Sequence, residues 1–230
     1  MKNYLHAFSN LCYPSSCLGC QQPLAAQEEL VCLNCLLDLP LTHFHKRLSN
    51  PVTGAFTGRV PILRGTAYLF FQQGGVVQQL LHLLKYKNRP EVGVFLGGYA
   101  ASTLKAGSFF RTVDAVVPVP LHPAKEAQRG YNQALKIAQG LADELGLPVA
   151  PLLLRESASE SQTRKGRYDR YLNVNTIFSL LENEAAEWEG KHLVVVDDVL
   201  TTGATLEGCL LALQGIPEVK LSVFTLAYAP

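Results

Sequence analysis

The stretch VVVDDVLTTGAT, residues 194–205, joins a buried-strand pattern to two adjacent carboxylates and a Thr/Gly turn. Its β-branched residues predict a strand over 192–196, and the residues after the turn predict a helix over 204–213. Asp197 and Asp198 then lie at the carboxyl end of a strand, where open α/β sheets bind ligands. A helix N-terminus offers free N–H groups to a phosphate. The stretch therefore predicts a site for a phosphorylated sugar, in which the sugar hydroxyls donate hydrogen bonds to the two carboxylates.

An ordinary strand–turn–helix with a Thr N-cap is the alternative interpretation of this stretch. It would be preferred for an isolated T-x-G-x-T turn, but it does not account for the adjacent Asp-Asp pair. The G-x-G-x-x-G pattern of dinucleotide-binding folds and the G-x-x-x-x-G-K-[ST] pattern of P-loops do not occur in the sequence. Two common phosphate-binding motifs are thereby excluded.

Strand and helix patterns alternate through the rest of the chain. Strands are predicted over 66–72, 113–119, 149–154, 174–179 and 219–227, and helices over 76–88, 91–104 and 131–145. The residues between 155 and 172 are polar and charged, which is typical of a long loop. Alternation of this kind predicts an α/β fold with a mostly parallel sheet flanked by helices. We place this domain over residues 65–230.

Composition and charge narrow the class of protein. The chain has 230 residues, 48% of them hydrophobic, and a formal net charge of +1. Such a charge does not favour a protein that wraps nucleic acid by bulk basicity. No apolar run is long enough for a membrane span, and the N-terminus lacks the apolar core of a signal peptide. We therefore expect a cytoplasmic protein in a reducing environment.

Cysteines cluster near the N-terminus, where five of the six lie before residue 36. Cys17 and Cys20 form one C-x-x-C pair, and Cys32 and Cys35 form a second pair after eleven intervening residues. Two such pairs can present four thiolates to one tetrahedral Zn²⁺. A short segment with little core of its own gains folding free energy from a metal. We predict a structural zinc ribbon over 1–45, followed by a linker or irregular arm over 46–64.

Other interpretations of the cysteines are weaker. The spacing matches neither ferredoxin pattern of iron–sulfur ligation, and buried structural thiols do not explain paired C-x-x-C motifs. Cys12 could replace one ligand, although its spacing makes it the outsider. His43 and His45 are nearby polar residues, and Cys209 in the helix after the Thr/Gly turn is interpreted as a small core residue.

The Asp-Asp stretch resembles the phosphoribosyl-pyrophosphate (PRPP) signature of type I phosphoribosyltransferases. This resemblance implies a type I phosphoribosyltransferase-like α/β fold. It implies that Asp197 and Asp198 contact the ribose 2′- and 3′-hydroxyls and are the catalytic carboxylates. It also implies that the 5′-phosphate is held by Thr201, Thr202, Gly203, Ala204 and Thr205, with Mg²⁺ carried on the pyrophosphate and ribose.

A second stretch, VVPVPLHPAKEAQRGYNQA over 116–134, resembles the pyrophosphate loop of the same superfamily. Lys125 and Arg129 are its candidate pyrophosphate ligands, since flexible cations suit a diphosphate leaving group. Solvated surface charges are the alternative for each residue alone, and a contact for His122 is the less favoured of its interpretations. The sequence RGYNQ resembles a motif of the ComF/GntX branch, whose members are associated with natural competence.

The stretch SESQTRKGRYDRYLNVNTIF over 159–178 resembles the same branch. In type I enzymes this region is a mobile loop that closes over PRPP and excludes water. Arg164, Lys165 and Arg170 are its candidate ligands. A solvated charged loop and a contact with single-stranded DNA remain open. The element LKYKN over 84–88 also occurs in the ComF/GntX branch. For its Lys85, two interpretations are equally supported: a role in the site, and a place at a helix C-terminus, which favours cations.

The resemblance spans roughly residues 10–230 and includes the four-cysteine zinc element. The acceptor-binding hood is expected over about 60–110, where no acceptor signature is found. Three hypotheses follow: an active phosphoribosyltransferase with an unknown acceptor, a non-catalytic PRPP- or nucleotide-binding regulator, and an interaction protein in DNA uptake. The third would use the zinc ribbon to contact a helicase-like partner or single-stranded DNA. The intact Asp-Asp pair and TTGAT turn favour PRPP binding, and turnover stays open.

Overall fold

The computed structural model describes residues 15–155, 177–181 and 185–230. The strands in this part of the chain are β1 Arg64–Phe70, β2 Ala115–Pro118, β3 Leu153–Arg155, β4 Phe178–Leu180, β5 His192–Leu200 and β6 Lys220–Tyr228. The α-helices are α1 Leu33–Leu37, α2 Pro51–Gly54, α3 Val76–Tyr86, α4 Pro90–Leu104, α5 Pro123–Arg129, α6 Gln133–Leu145 and α7 Ala204–Leu213. Short 3₁₀ helices cover Phe44–Lys46 and Ala186–Trp188.

Four strands form one parallel sheet in the order β1-β6-β5-β2, and β3 pairs with β4 in a separate antiparallel ribbon. The predicted α/β fold with a parallel sheet flanked by helices is thereby confirmed. β5 lies inside the sheet and is buried along almost its whole length. A run of β-branched and aliphatic residues suits this position because strands of a parallel sheet are covered on both faces.

Each face of the sheet carries its own apolar core. Val194 and Val196 of β5 pack with α3, α4 and α6 on one face. Leu193 and Val195 pack with α7, the β3–β4 ribbon and residues around α2 on the other face. Successive side chains of a strand point to opposite faces, so β5 contributes alternately to both cores.

Two glycines let α4 and α6 approach closely. A Cβ at Gly140 would lie 2.0 Å from the carbonyl oxygen of Val94, and a Cβ at Gly97 would lie 2.2 Å from that of Ile137. Neither backbone oxygen can move aside, so a larger residue would push the helices apart. This packing fixes α6, whose first residue, Gln133, lines the cavity described below.

The segment over 46–64 contributes to the core. Asn50 caps α2 with a capping box, in which its side chain accepts from the N–H groups of Val52 and Thr53. Val52 and Phe56 are fully buried beneath β1 and the start of α7. The division of the chain at residues 45 and 64 stays a prediction.

Within the described residues, none of the helices is both long enough and apolar enough to cross a membrane.

Candidate functional site

A cavity of about 470 Å³ opens at the carboxyl ends of β2 and β5, and we call it the central cavity. It is lined by six of the nine described residues that the sequence predicted for the PRPP site: Asp197, Asp198, Thr201, Thr205, Lys125 and Arg129. The remaining lining residues are Phe71, Lys85, Tyr86, Val119, Pro120, Leu121, Gln133, Arg155, Val199 and Ala229. Two motifs that are about 70 residues apart in sequence therefore line one concave site, as expected at the carboxyl ends of parallel strands.

The two aspartates are buried, with 9% of Asp197 and 5% of Asp198 exposed. Burial, reinforced by the neighbouring Asp198 carboxylate, raises the pKa of Asp197 to about 7. This rise in pKa is opposed by the N–H of Asp198, which donates to Asp197 Oδ1 at 2.8 Å. It is also opposed by the cations of Lys85 and Arg155. Near neutral pH the carboxyl group of Asp197 in the ligand-free site is therefore readily protonated. Its ionised form lowers the stability of the protein, and a hydroxyl-rich ligand can offset that cost.

Strand geometry separates the two carboxylates. Since side chains alternate along β5, Asp198 lies on the α3 face and Asp197 on the α7 face. Lys85 Nζ, at the end of α3, lies 3.0 Å from Asp198 Oδ2. Asp197 lies close enough to Cys209 of α7 for its charge to raise the pKa of that thiol, although burial is the larger cause. The adjacent pair therefore presents carboxylates to two sides of one cavity.

Lys85 lies in the last turn of α3 and lines the central cavity. Its side chain is 24% exposed and forms an ion pair with the buried Asp198. Its position therefore combines the two that the sequence left open, the C-terminal end of a helix and the lining of the cavity.

The TTGAT turn, residues 201–205, connects β5 to α7. Gly203 is the N-cap of α7 and has φ of +80°, which favours glycine. A Cβ there would also lie 3.4 Å from the Phe56 ring. Thr201 and Thr205 line the central cavity, and Thr202 and Ala204 are exposed within the same turn. The free N–H groups at the start of α7 therefore face an accessible concave surface, as a phosphate site requires.

Arg59, which sequence reasoning missed, lies in the segment before β1 and contacts this turn. Its guanidinium forms an ion pair with Glu207 in the first turn of α7 and lies 3.4 Å from the carbonyl oxygen of Thr202. A second bond at 3.2 Å goes to the carbonyl of Ala55. Glu207 would oppose an anion at the helix N-terminus, and Arg59 neutralises it.

The stretch predicted as a pyrophosphate loop contains a helix that the sequence did not indicate. α5 begins at Pro123 after His122, whose Nδ1 accepts from the N–H of Ala124 at 3.2 Å, and it ends at Gly130, with φ of +86°. The ring nitrogen of His122 therefore caps the N-terminus of α5. α5 carries Lys125 and Arg129 into the central cavity.

The RGYNQ motif has a structural reason at each polar position. Arg129 donates to Gln133 and lies 5.9 Å from the ring centroid of Tyr86. The hydroxyl of Tyr131 donates to the carbonyl of Leu84 near the end of α3. Asn132 donates to Val119 O at 2.9 Å and caps α6. The motif therefore ties α3, β2 and α6 together around the cavity.

Arg155, the last residue of β3, was also missed. It lines the central cavity and lies 5.3 Å from the Phe178 ring centroid. Its Nε is buried and has no hydrogen-bond partner among the residues that the structure describes. Arg164, Lys165 and Arg170, the candidate ligands of the mobile loop, lie outside the described residues, and their roles stay predictions.

The four predicted metal ligands come together in the fold. The Sγ atoms of Cys17, Cys20, Cys32 and Cys35 all lie within 4.8 Å of one another. The Cys20 and Cys32 sulfurs are 3.6 Å apart, near the roughly 3.8 Å expected for thiolates around tetrahedral zinc. Among the described residues, neither His43 nor His45 belongs to this cluster; Cys12 lies outside them.

The surroundings of Cys17 favour a thiolate. Burial opposes its ionisation, but the N–H groups of Cys32, Cys20 and Gly19 outweigh burial and lower its pKa to about 6. The N–H groups of Gly19 and Cys32 lie 3.3 Å and 3.2 Å from Cys17 Sγ. Sulfur donors in this number and arrangement fit a Zn²⁺ ion, so the cluster could form a zinc site.

The cysteine cluster packs directly against α3. Gln79 of α3 donates its Nε2–H to the carbonyl of Leu18 at 2.7 Å. Leu18 and Cys35 belong to the same apolar core as Val77 and Leu80 of α3. The helix that carries Lys85 at its C-terminal end is therefore supported by the cysteine segment at its N-terminal half.

Comparison with known proteins places this architecture in a class. The family model "Phosphoribosyl transferase domain" matches residues 132–226, which include α6, β5, the TTGAT turn and α7. The chain is also similar to two solved structures, titled as the allosteric regulatory enzyme of purine biosynthesis and as glutamine PRPP amidotransferase from B. subtilis with ADP and GMP. Each has a TM-score of 0.42 and 19% identity, and covers 62% of this chain and 29% or 30% of the other. The protein is a phosphoribosyltransferase-like α/β protein with an N-terminal cysteine cluster.

The chain is also similar to curated proteins that include competence proteins. The chain is 32% identical over 117 residues to Competence protein F of Haemophilus influenzae, covering 50% of this chain and 51% of that one. It is 38% identical over 91 residues to Competence protein ComFC of Bacillus subtilis, covering 40% and 34%. It is 26% identical over 212 residues to DNA utilization protein YhgH of Escherichia coli, covering 85% and 89%. The matches to the first two relatives named here span 51% and 34% of the length of those proteins. Together with the phosphoribosyltransferase match, these similarities support the ComF family.

Proposed function

We propose that the central cavity binds PRPP together with Mg²⁺ and that the protein serves DNA uptake. The observation that carries the proposal is the meeting of three features around one cavity. These are the buried Asp-Asp pair, the open N-terminus of α7 and the cations of α5. A sugar with phosphates at both ends requires such a combination, because hydroxyl acceptors must lie between two anion sites.

Each part of PRPP has a partner of suitable chemistry. The 5′-phosphate would be held by the N–H groups and hydroxyls of residues 201–205, and the ribose hydroxyls would donate to Asp197 and Asp198. The pyrophosphate would be held by Lys125 and Arg129. Oxygen-rich surroundings of this kind suit Mg²⁺, which would be carried on the pyrophosphate and ribose and would offset the leaving-group charge.

Transfer, if the protein catalyses it, is a substitution at C1′ of the ribose. An acceptor nitrogen forms a bond to C1′ as the bond from C1′ to the pyrophosphate oxygen breaks, and the electron pair of that bond leaves with pyrophosphate. Lys125 and Arg129 would stabilise the departing charge, and the buried carboxylates would hold the ribose in place. Release of pyrophosphate in the presence of candidate amines and bases separates a transferase from a PRPP-binding regulator.

A role in DNA uptake is supported by the printed names of the relatives, two of which are competence proteins. The cysteine segment offers a surface for a protein partner, since Leu33 and Leu37 of α1 are 58% and 72% exposed. We propose contact with a helicase-like protein there, with single-stranded DNA as the competing candidate. Normal uptake of DNA by cells carrying Leu37→Ser would argue against a protein contact at α1.

The ligand can be identified by thermal unfolding with a panel of compounds. PRPP with Mg²⁺ should raise the melting temperature more than ribose 5-phosphate, pyrophosphate or ATP does. At a hundredfold excess over Kd the expected stabilisation is about 2.7 kcal/mol. An equal shift with ATP, or no shift with PRPP, would contradict the proposed ligand.

Removal of the Arg59 guanidinium should weaken PRPP binding without unfolding the protein. In Arg59→Ala, Glu207 is left free beside the 5′-phosphate position, so we expect a roughly tenfold higher Kd from an opposed charge. The ion pair is exposed, so stability should change by less than about 1 kcal/mol. Arg47→Ala, which removes another exposed arginine of the same segment, is the matched control.

A second substitution separates charge from shape at this turn. If Arg59 acts by neutralising Glu207, adding Glu207→Gln to Arg59→Ala should restore most of the lost affinity. If affinity stays low in the double variant, Arg59 acts through its bonds to the carbonyls of Thr202 and Ala55 instead.

A further inference from the structure

Lys85 stands between two cavities. It lines the central cavity, where its ammonium pairs with Asp198. It also lines an adjoining cavity of about 330 Å³, which we call the side cavity. The side cavity is lined by Lys85, Tyr86, Asn88, Lys125, Gln128 and Arg129. Among the described residues, its lining contains three cations and no carboxylate, so it attracts anions strongly.

The contact between Lys85 and Asp198 is close but poorly directed. The two atoms are 3.0 Å apart, yet Asp198 Oδ2 accepts no hydrogen bond of good geometry from any described residue. Asp198 is 7% exposed in its side chain and Lys85 is 24% exposed, so water reaches the ammonium more readily than the carboxylate. Coulombic attraction therefore holds the pair, and the long lysine side chain can exchange one oxygen partner for another.

From this placement we infer that Lys85 is a specificity-determining residue for the pyrophosphate group of PRPP. In the ligand-free protein its ammonium neutralises Asp198. When PRPP occupies the central cavity, the ribose hydroxyls become the partners of Asp198, and the Lys85 ammonium turns toward the pyrophosphate beside Lys125 and Arg129. The inference rests on the proposed function, since it requires that PRPP is the ligand.

An exchange of partners selects for the complete ligand. Ribose 5-phosphate would also present hydroxyls to Asp198, but it offers Lys85 no anion in return. The free-energy cost of separating Lys85 from Asp198 is then not compensated, because the lysine gains no new anionic partner. PRPP supplies that partner, so Lys85 favours pyrophosphorylated ribose over ribose 5-phosphate.

The test is the ratio of two dissociation constants in the full-length, metal-loaded protein. Calorimetry gives the Kd of PRPP and of ribose 5-phosphate, both with Mg²⁺, for wild type and Lys85→Met. We expect the Kd of PRPP to rise about 30-fold, as for loss of one charge-assisted contact. The Kd of ribose 5-phosphate should stay within about threefold or fall, since no ion pair has to be separated.

Two further variants control the comparison. Lys87→Met removes an exposed lysine of the same LKYKN element and should leave both dissociation constants unchanged. Lys85→Arg keeps the charge and should recover part of the selectivity for PRPP. A purely structural role for Lys85 would weaken both ligands together and would leave their ratio unchanged.

The outcomes separate the inference from the proposed function. If wild type binds PRPP and Lys85→Met leaves the ratio of the two dissociation constants unchanged, whether neither ligand or both are weakened, the role of Lys85 is refuted while the proposed function stands. If wild type binds neither ligand, both are refuted. A selective loss of PRPP in Lys85→Met alone supports both.

Discussion

Asp197→Asn should stabilise the ligand-free protein at pH 8 by about 4 kcal/mol and at the same time eliminate PRPP binding. Burial and the neighbouring Asp198 raise the pKa of Asp197 from its ordinary value of 3.8 to about 7. A raised carboxyl pKa contributes stability that is fully present below the unfolded pKa and is lost as pH rises through the folded value. Above pH 7 wild type must therefore hold an unfavourable buried charge, which Asn does not carry.

Chemical denaturation of both proteins between pH 5 and pH 9 measures this effect. The difference in the free energy of unfolding should grow as pH rises from about 4 to 7, between the unfolded and folded pKa values of Asp197, and should level off above pH 7. Asp143→Asn, at an exposed carboxylate of α6, is the control and should show no such pH dependence. If Asp197→Asn were destabilising at pH 8, the carboxylate would be a structural element rather than one retained for a ligand.

Loss of the metal-binding thiols should have the largest effect on stability. Cys17→Ser combined with Cys32→Ser removes two of the four sulfur atoms that lie within 4.8 Å of one another. The segment has little helix of its own, so a metal bound by the cluster would contribute to its folding, and we expect destabilisation on the order of 5 kcal/mol. A strong zinc chelator should have the same effect on wild type.

Zinc analysis and thermal unfolding measure this prediction. Wild type and Cys209→Ala, which changes a cysteine away from the cluster, should each bind one zinc per chain, and the double serine variant should bind none. Because the segment packs on α3, the affinity for PRPP should fall together with zinc content. Full stability in the zinc-free variant would show that the cluster is not a structural metal site.

The sequence patterns located the elements better than they located their ends. The helix over 204–213 was predicted at its observed bounds, because the turn at Gly203 determines its start. The strand predicted to end at 196 continues to Leu200, since Asp197 and Val199 pair with Thr225 and Ala227 of β6. Two charged residues inside a strand contradict its local pattern, and only the neighbouring strand shows that pairing continues through them.

The site was predicted in part. Adjacent carboxylates before a Thr/Gly turn, and cations after a buried strand, are local patterns that can be read directly. Lys85 and Arg59 contact residues more than 100 positions away, at Asp198 and Glu207, and no periodicity indicates which long side chain meets which surface. Arg155 was missed for the same reason, because its strand pairs with β4 in the part of the chain that the structure describes, while its side chain reaches the cavity.

The central claim, that the cavity binds PRPP through the aspartate pair, is tested most directly by calorimetric titration of the zinc-loaded protein with PRPP. The titration is made with and without Mg²⁺, and Asp197→Asn combined with Asp198→Asn is measured alongside. We predict saturable, Mg²⁺-dependent binding to wild type and at least a hundredfold weaker binding to the double variant, about 2.7 kcal/mol or more. No binding to wild type, or equal binding to both proteins, would contradict the account.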